Sequence, residues 1–257
     1  MLILIAESKT MTACDGFVTP ELYEKHRPEG EPRANNVMAG LTAESPTEIV
    51  ERSGLNLSMA IKLHKMAVEF PDKTHGQAAI EAFTGVVFKA IDYKTMMQDN
   101  RVNFQKCVRI ISSLYGYLRP DDIIKPYRMD YTSRLAPTGV AMSAYWNKAV
   151  TESLALELKA TGTTEILNLL PGDAAKCIDW KTINKLAKVW TVDFKDIKDG
   201  GKLATPHAGL LKKLRGHLLR EIVTRNIVSV HDLLSLKTDL LLPMGETDTS
   251  GHIAFCL

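Results

Sequence analysis

The sequence predicts a mixed α/β fold, one domain over residues 1–257 with a mixed β-sheet flanked by helices. Three observations predict it. Strand-like apolar runs and helical periods alternate along the whole chain. No internal repeat or low-complexity linker divides it. The opening Leu2-Ile3-Leu4-Ile5-Ala6 is continuously apolar rather than alternating, as in a strand covered on both faces.

The end of that first strand delivers Glu7-Ser8-Lys9-Thr10. Residues 13–41 scatter Pro20, Pro28, Pro32, Gly16, Gly30 and Gly40 among mixed charges and read mostly as loop. Ser45-Pro46-Thr47-Glu48 places an N-cap residue, a first-turn proline and a Glu at capping-box spacing. A helix should follow to about Ser53, break at Gly54 and Asn56, and resume from Leu57 to Glu69. Next come a short helix over 77–83, a strand-like Gly85-Val86-Val87-Phe88 and a helix near 91–97. Residues 103–113 mix helical and strand periods before a Tyr115-Gly116 turn. An amphipathic helix over 143–160 is closed by Gly162. A strand over 165–170 turns through Pro171-Gly172 into a short helix. A strand over 189–194, a turn at Asp199-Gly200-Gly201 and a long basic helix over 206–226 follow. From Lys237 the chain reads as a ragged loop with one short strand at 253–255.

Composition excludes several classes. With 32 Lys and Arg against 30 Asp and Glu the chain is no polycation, so an anionic partner must be met by local clustering of charge. No stretch reaches the roughly 18–20 apolar residues of a membrane span. The apolar run at the start is too short for a signal peptide, and a cytoplasmic location is expected. Cys14, Cys107, Cys177 and Cys256 lie far apart, which fits free thiols in a reducing compartment. The histidines lack metal-ligand spacing, so neither a metal site nor a cofactor is expected.

Three features could carry chemistry. Residues 49–60 fit a helix–hairpin–helix pattern within the subregion 42–70: apolar helix, a turn Gly54-Leu55-Asn56, then Ala60 where two helices approach. Asn56 stands at the second glycine, because Asn visits left-handed angles readily. Such a turn directs backbone N–H groups and a helix N-terminus at one phosphate, without sequence preference. Lys62 and Lys65 would add charge, although two packed helices also turn this way with nothing bound. Second, residues 202–225 hold Lys202, Lys212, Lys213, Arg215, Arg220 and Arg225, opposed by Glu221 alone. This basic helical face suits a phosphate backbone or is simply solvated. Third, Leu114-Tyr115-Gly116-Tyr117-Leu118-Arg119-Pro120 and Pro126-Tyr127-Arg128-Met129-Asp130 form a shaped loop. Its Arg119 and Arg128 could grip an anion or merely pair with Asp121 or Asp130. Lys9 and Lys176 both stand near strand ends.

Taken in order, these segments resemble the YaaA family of peroxide-stress proteins over nearly the whole chain. The likeness runs through the start with Ser8-Lys9-Thr10, Phe83-Thr84-Gly85-Val86-Val87-Phe88, the two loop motifs above, and Tyr145-Trp146. It continues through Asn168-Leu169 with Lys176 and Lys212-Lys213-Leu214-Arg215-Gly216 with Arg220. The resemblance implies a compact α/β domain with a positively charged cleft and a helix–hairpin–helix element. It also implies a cytoplasmic protein that binds double-stranded DNA and helps survival of hydrogen peroxide by limiting iron-linked damage. By position it places Lys9, Arg119, Arg128, Lys176, Lys213, Arg215 and Arg220 around the cleft. One departure is the segment before Lys9, where the family more often reads Ser-Pro-Ala-Lys-Thr and this chain brings Glu7 near the lysine.

The expectation is therefore a DNA-binding protein with Gly54, Asn56, Lys62 and Lys65 at the hairpin. The basic cleft would hold Lys9, Arg119, Arg128, Lys176, Lys212, Lys213, Arg215 and Arg220. The alternative is an enzyme acting on a nucleotide or damaged nucleic acid, with Lys9 or Lys213 as an amine nucleophile.

Overall fold

The apolar run at the start of the chain forms β1 (Leu2–Ala6), whose residues Leu2 to Ile5 are all buried. The computed structural model describes residues 1–247 and 250–257. β1 is followed by α1 (Pro20–Lys25) and α2 (Glu31–Thr42), where the sequence suggests loop. Pro20 and Pro32 sit in the first turns of these helices, where a missing N–H breaks no helical hydrogen bond. α3 (Pro46–Ser53) and α4 (Leu57–Glu69) fall as expected. The capping box is present: Glu48 N–H donates to Ser45 Oγ at 3.3 Å, and Ser45 N–H donates to Glu48 Oε2 at 2.7 Å.

The next stretch departs from expectation. β2 (Gln77–Ala78) and α5 (Ala79–Ala82) replace one short helix, and the strand-like Val86-Val87-Phe88 opens α6 (Val86–Ile91). Its two β-branched residues favour a strand locally, but packing on a later helix decides the outcome. The chain then reverses through a left-handed Asp92 (φ +48°) into a 3-10 turn at Tyr93–Thr95, where a helix is expected. α7 (Gln98–Cys107) runs directly into β3 (Val108–Ser112), which explains the mixed period of that segment.

β4 (Gly116–Leu118), β5 (Ile123–Ile124) and α8 (Met142–Thr161) follow, with Gly162 left-handed at the helix end. Then come β6 (Glu165–Asn168), α9 (Gly172–Ala175), α10 (Trp180–Ile183), β7 (Lys188–Ile197) and β8 (Leu203–Ala204). The basic helix is α11 (Ala208–Thr224), followed by α12 (Val230–Leu233). The last section is more regular than a ragged loop: β9 (Leu242–Glu246) and β10 (His252–Cys256) both join the sheet. β10 finds a partner on each side, β7 and β9, which no local pattern could announce.

The main sheet has the order β4-β3-β1-β6-β7-β10-β9, with β8 paired to the extension of β7. β3, β1, β6, β7 and β10 are mutually parallel, and the edges β4 and β9 are antiparallel. The main hydrophobic core reaches from Leu2 to Phe255, and Val18, Tyr23 and Ile123 form a small second cluster. No helix among the described residues is long and apolar enough to cross a membrane.

Two contacts lock α6 in place. α11 lies against it, and a Cβ at Gly216 would come within 2.3 Å of Val87 O, so only glycine permits this crossing. Arg220 holds the other end of α6, donating to the carbonyls of Ile91 and Asp92 at 2.7 and 2.8 Å. β1 lies between β3 and β6, and the chain leaves β1 and β6 in divergent directions at their carboxyl ends. In open parallel sheets such a switch point is where ligands bind.

Candidate functional site at the carboxyl edge of the sheet

A cavity of about 450 Å³ opens at this switch point. The segment after β1 lines it with Glu7, Ser8, Lys9 and Thr10, and the turn after β6 with Pro171 and Asp173. α6 adds Val86, Val87 and Phe88, loop 127–136 adds Asp130, Tyr131 and Thr132, and α11 adds Lys212. One wall is thus apolar, and the opposite rim carries two ammonium groups, Lys9 and Lys212, and two carboxyl groups, Asp130 and Asp173.

Glu7 forms the floor, and the composition of the chain gave no reason to single it out. Its Oε2 accepts from Ser113 N–H at 2.9 Å and from the Tyr127 hydroxyl. Tyr127 Oη also lies 2.7 Å from Ser112 Oγ. Glu7 N–H donates to Tyr131 Oη at 3.3 Å, and that hydroxyl donates to Ile111 O at 2.8 Å. Removal from bulk water pushes the Glu7 carboxyl up to about 7, against the hydrogen bonds from Ser113 and Tyr127 that favour its charged form. The only advance signal was the departure from the family's usual residues before Lys9.

Lys9 pairs with Asp130, and the Arg128 guanidinium donates to Lys9 O, so loop 127–136 is pinned to the end of β1. The other end of this loop is pinned to the α3–α4 turn. Arg134 N–H donates to Arg52 O at 2.8 Å, while Arg52 donates to Arg134 O at 3.0 Å and Ala136 O at 2.9 Å. Glu44 pairs with the same guanidinium.

The α3–α4 turn is open. Gly54 adopts φ +71° with nothing within 4 Å of an added Cβ. Asn56 is not the second left-handed residue that the pattern suggests. It is extended (φ −73°, ψ 162°) and caps α4, its Oδ1 accepting from Met59 N–H at 2.9 Å. An N-cap requires that extended backbone, so Gly54 alone turns the chain. Among the described residues the amides of Asn56, Leu57 and Ser58 have no intramolecular partner. Lys62 and Lys65 lie exposed on α4, Lys65 within 3.6 Å of Glu69.

The remaining cations divide. Lys212 lines the cavity, and Lys176 stands beside it, 3.1 Å from Asp173. Lys213 is exposed on α11 and does not line it. Arg215 is half-buried, and desolvation lowers its pKa. Arg220 is occupied at the end of α6. Arg119 lies at the opposite edge of the sheet: antiparallel β4 pairs Leu118 with Ile110, carrying the chain away from Lys9. The cleft is therefore of mixed sign rather than uniformly positive, because Asp130 and Asp173 accompany its lysines. Among the described residues no cluster of three or more His, Cys, Asp or Glu could hold a metal ion.

Fold and site together define a parallel-sheet α/β protein with a polar-floored pocket at its switch point and an open helical turn beside it. The chain belongs to the peroxide stress protein YaaA family, whose sequence profile matches residues 1–241. It is 30% identical over 230 residues to a UPF0246 protein of Parabacteroides distasonis, covering 88% of each chain. A UPF0246 protein of Phocaeicola vulgatus is 30% identical over 259 residues, covering 100% of this chain and 99% of its own.

Proposed function

We propose that this member of a peroxide-stress family acts in the cytoplasm by binding duplex DNA through its backbone phosphates, limiting iron-linked peroxide damage there. The bare amides of Asn56, Leu57 and Ser58 carry this reading. They lie at the N-terminal end of a helix of 13 residues, at an exposed turn, and a phosphate oxygen is the partner such a group of donors suits. Arg52 holds that turn against the loop that borders the cavity. Lys62 and Lys65 would neutralise neighbouring phosphates, so binding is salt-dependent and weakly sequence-selective.

Thiol chemistry gains no support from Cys14, Cys107 or Cys177. Burial raises all three, Cys107 to about 11 and Cys177 to about 12, and a peroxide-reactive cysteine needs the thiolate. The amine-nucleophile reading is also weakened. Lys9 is already engaged by the Asp130 carboxylate, and Lys213 stands outside the cavity.

The test is duplex binding by gel shift at low salt with Gly54→Val. A β-branched residue at φ +71° distorts the turn, and affinity should fall by about tenfold or more. Unchanged affinity in a variant whose circular dichroism shows the strained turn accommodated would remove the hairpin from the interface.

A further inference from the structure

We infer that the switch-point cavity receives a single unstacked nucleotide, its base against Val86 and Phe88 and its phosphate between Lys9 and Lys212. This deepens the DNA-binding reading and in its duplex form rests on it. Four observations carry it.

The cavity, at about 450 Å³, lies within the range of small-molecule sites and is far too small for a duplex. Its two walls differ in the way a nucleotide does. Val86, Val87, Phe88 and Pro171 offer a surface to a flat heterocycle, and the ammonium groups of Lys9 and Lys212 stand on the rim. The floor offers directional polar groups. Glu7 Oε2 accepts from Ser113 N–H and from the Tyr127 hydroxyl, and the side chain lines the cavity. A neutral carboxyl both donates and accepts, which matches the paired donor and acceptor on a base edge. Finally, Arg52 fixes loop 127–136 to the α3–α4 turn, and Arg128 fixes it to Lys9. A duplex held at the turn would therefore lie next to the cavity mouth, and a recessed site beside a backbone clamp is the arrangement that takes a base out of the stack.

Glu7 is faced by Tyr127, Tyr131 and Cys177 within the fold and shares the cavity with Lys9, Lys212, Asp130 and Asp173. Deprotonation would bring a second negative charge towards an anionic ligand. Nucleotide affinity should therefore be higher at pH 6 than at pH 8, by about tenfold, and Glu7→Gln should flatten that dependence.

The experiment uses a duplex carrying 2-aminopurine at an unpaired position, alongside free dAMP and ribose 5-phosphate. Expected is a several-fold rise in 2-aminopurine fluorescence on binding, lost in Val86→Asp while gel-shift retention of the duplex persists; Lys212→Glu should lose dAMP binding together with the fluorescence rise. Val86 is the exposed first residue of α6, where Asp suits a helix start, so that variant should fold. A retained duplex with no fluorescence rise and no dAMP binding overturns the cavity assignment and leaves the hairpin reading intact. No duplex binding, together with dAMP binding that Val86→Asp abolishes, sustains the cavity for free nucleotide and sinks the DNA reading. Ribose 5-phosphate binding as tightly as dAMP overturns the base wall.

Discussion

At the α3–α4 turn the amides of three consecutive exposed residues, Asn56, Leu57 and Ser58, have no intramolecular partner among the described residues. On the other side of loop 127–136 the Glu7 carboxyl accepts from Ser113 and Tyr127, and Lys9 pairs with Asp130. The first region is a set of donors awaiting an acceptor. The second is already organised, with its charges mutually compensated. Under the proposed reading, a surface of the first kind would suit phosphates of any sequence, whereas a pocket of the second kind would select by shape and by protonation. The contrast teaches that cations gathered by folding need not make a cationic site, because Asp130, Asp173 and Asp92 travel with them.

The sharpest way to separate the two regions is to dislodge α6. Gly216→Val forces a side chain into Val87 O and should cost about 3 kcal/mol, read as a large drop in melting temperature. Below that temperature the cavity wall is disturbed while the α3–α4 turn is not, so duplex retention should outlast nucleotide binding.

Glu7→Gln comes next. In the folded chain Glu7 holds a proton up to about pH 7 that the unfolded chain releases near 4.5. Glu7's own contribution to stability is thus fully present below about 4.5 and is lost as pH rises through 7. Glu7→Gln should remove that slope and raise stability at pH 8 by up to about 3 kcal/mol, measured by urea denaturation at several pH values. Asp122, also raised to about 7 by burial, lies at the far edge of the sheet. Asp122→Asn should flatten the same slope and leave nucleotide binding unmoved.

Arg52→Ala cuts the tie between the regions. It removes two hydrogen bonds to the loop and leaves Glu44 without its partner, at a cost of about 2 kcal/mol. If the turn and cavity cooperate, fluorescence of the 2-aminopurine duplex should fall more than gel-shift affinity.

The smallest effect on stability is expected from Lys62→Glu with Lys65→Glu. Both side chains are exposed, so the melting temperature should barely change, within about 0.5 kcal/mol. The slope of log affinity against log salt should nevertheless decrease by about 2. An unchanged slope would place the phosphates elsewhere.

Some elements were legible because their signals are local. The capping box at Ser45, the left-handed Gly54 and Gly162, and the apolar β1 each depend on a few neighbouring residues. The strand-like reading of Val86-Val87-Phe88 failed because Gly216, about 130 positions away in the chain, lets α11 press on that segment as a helix. Pro20 and Pro32 read as breakers when they are helix starters, since a proline's meaning depends on which side of it the helix lies.

By itself the sequence determined the α/β class, the central first strand, the α3–α4 pair and the family, because these follow from periodicity, capping chemistry and ordered motifs. Only the tertiary structure decided that Arg119 leaves the site, that Arg220 is committed to α6, and that Glu7 lies on a pocket floor with a raised pKa. Charge and hydrogen-bonding capacity are written in the chain. Whether a group spends them inside the fold or offers them outward depends on partners that folding brings from far away.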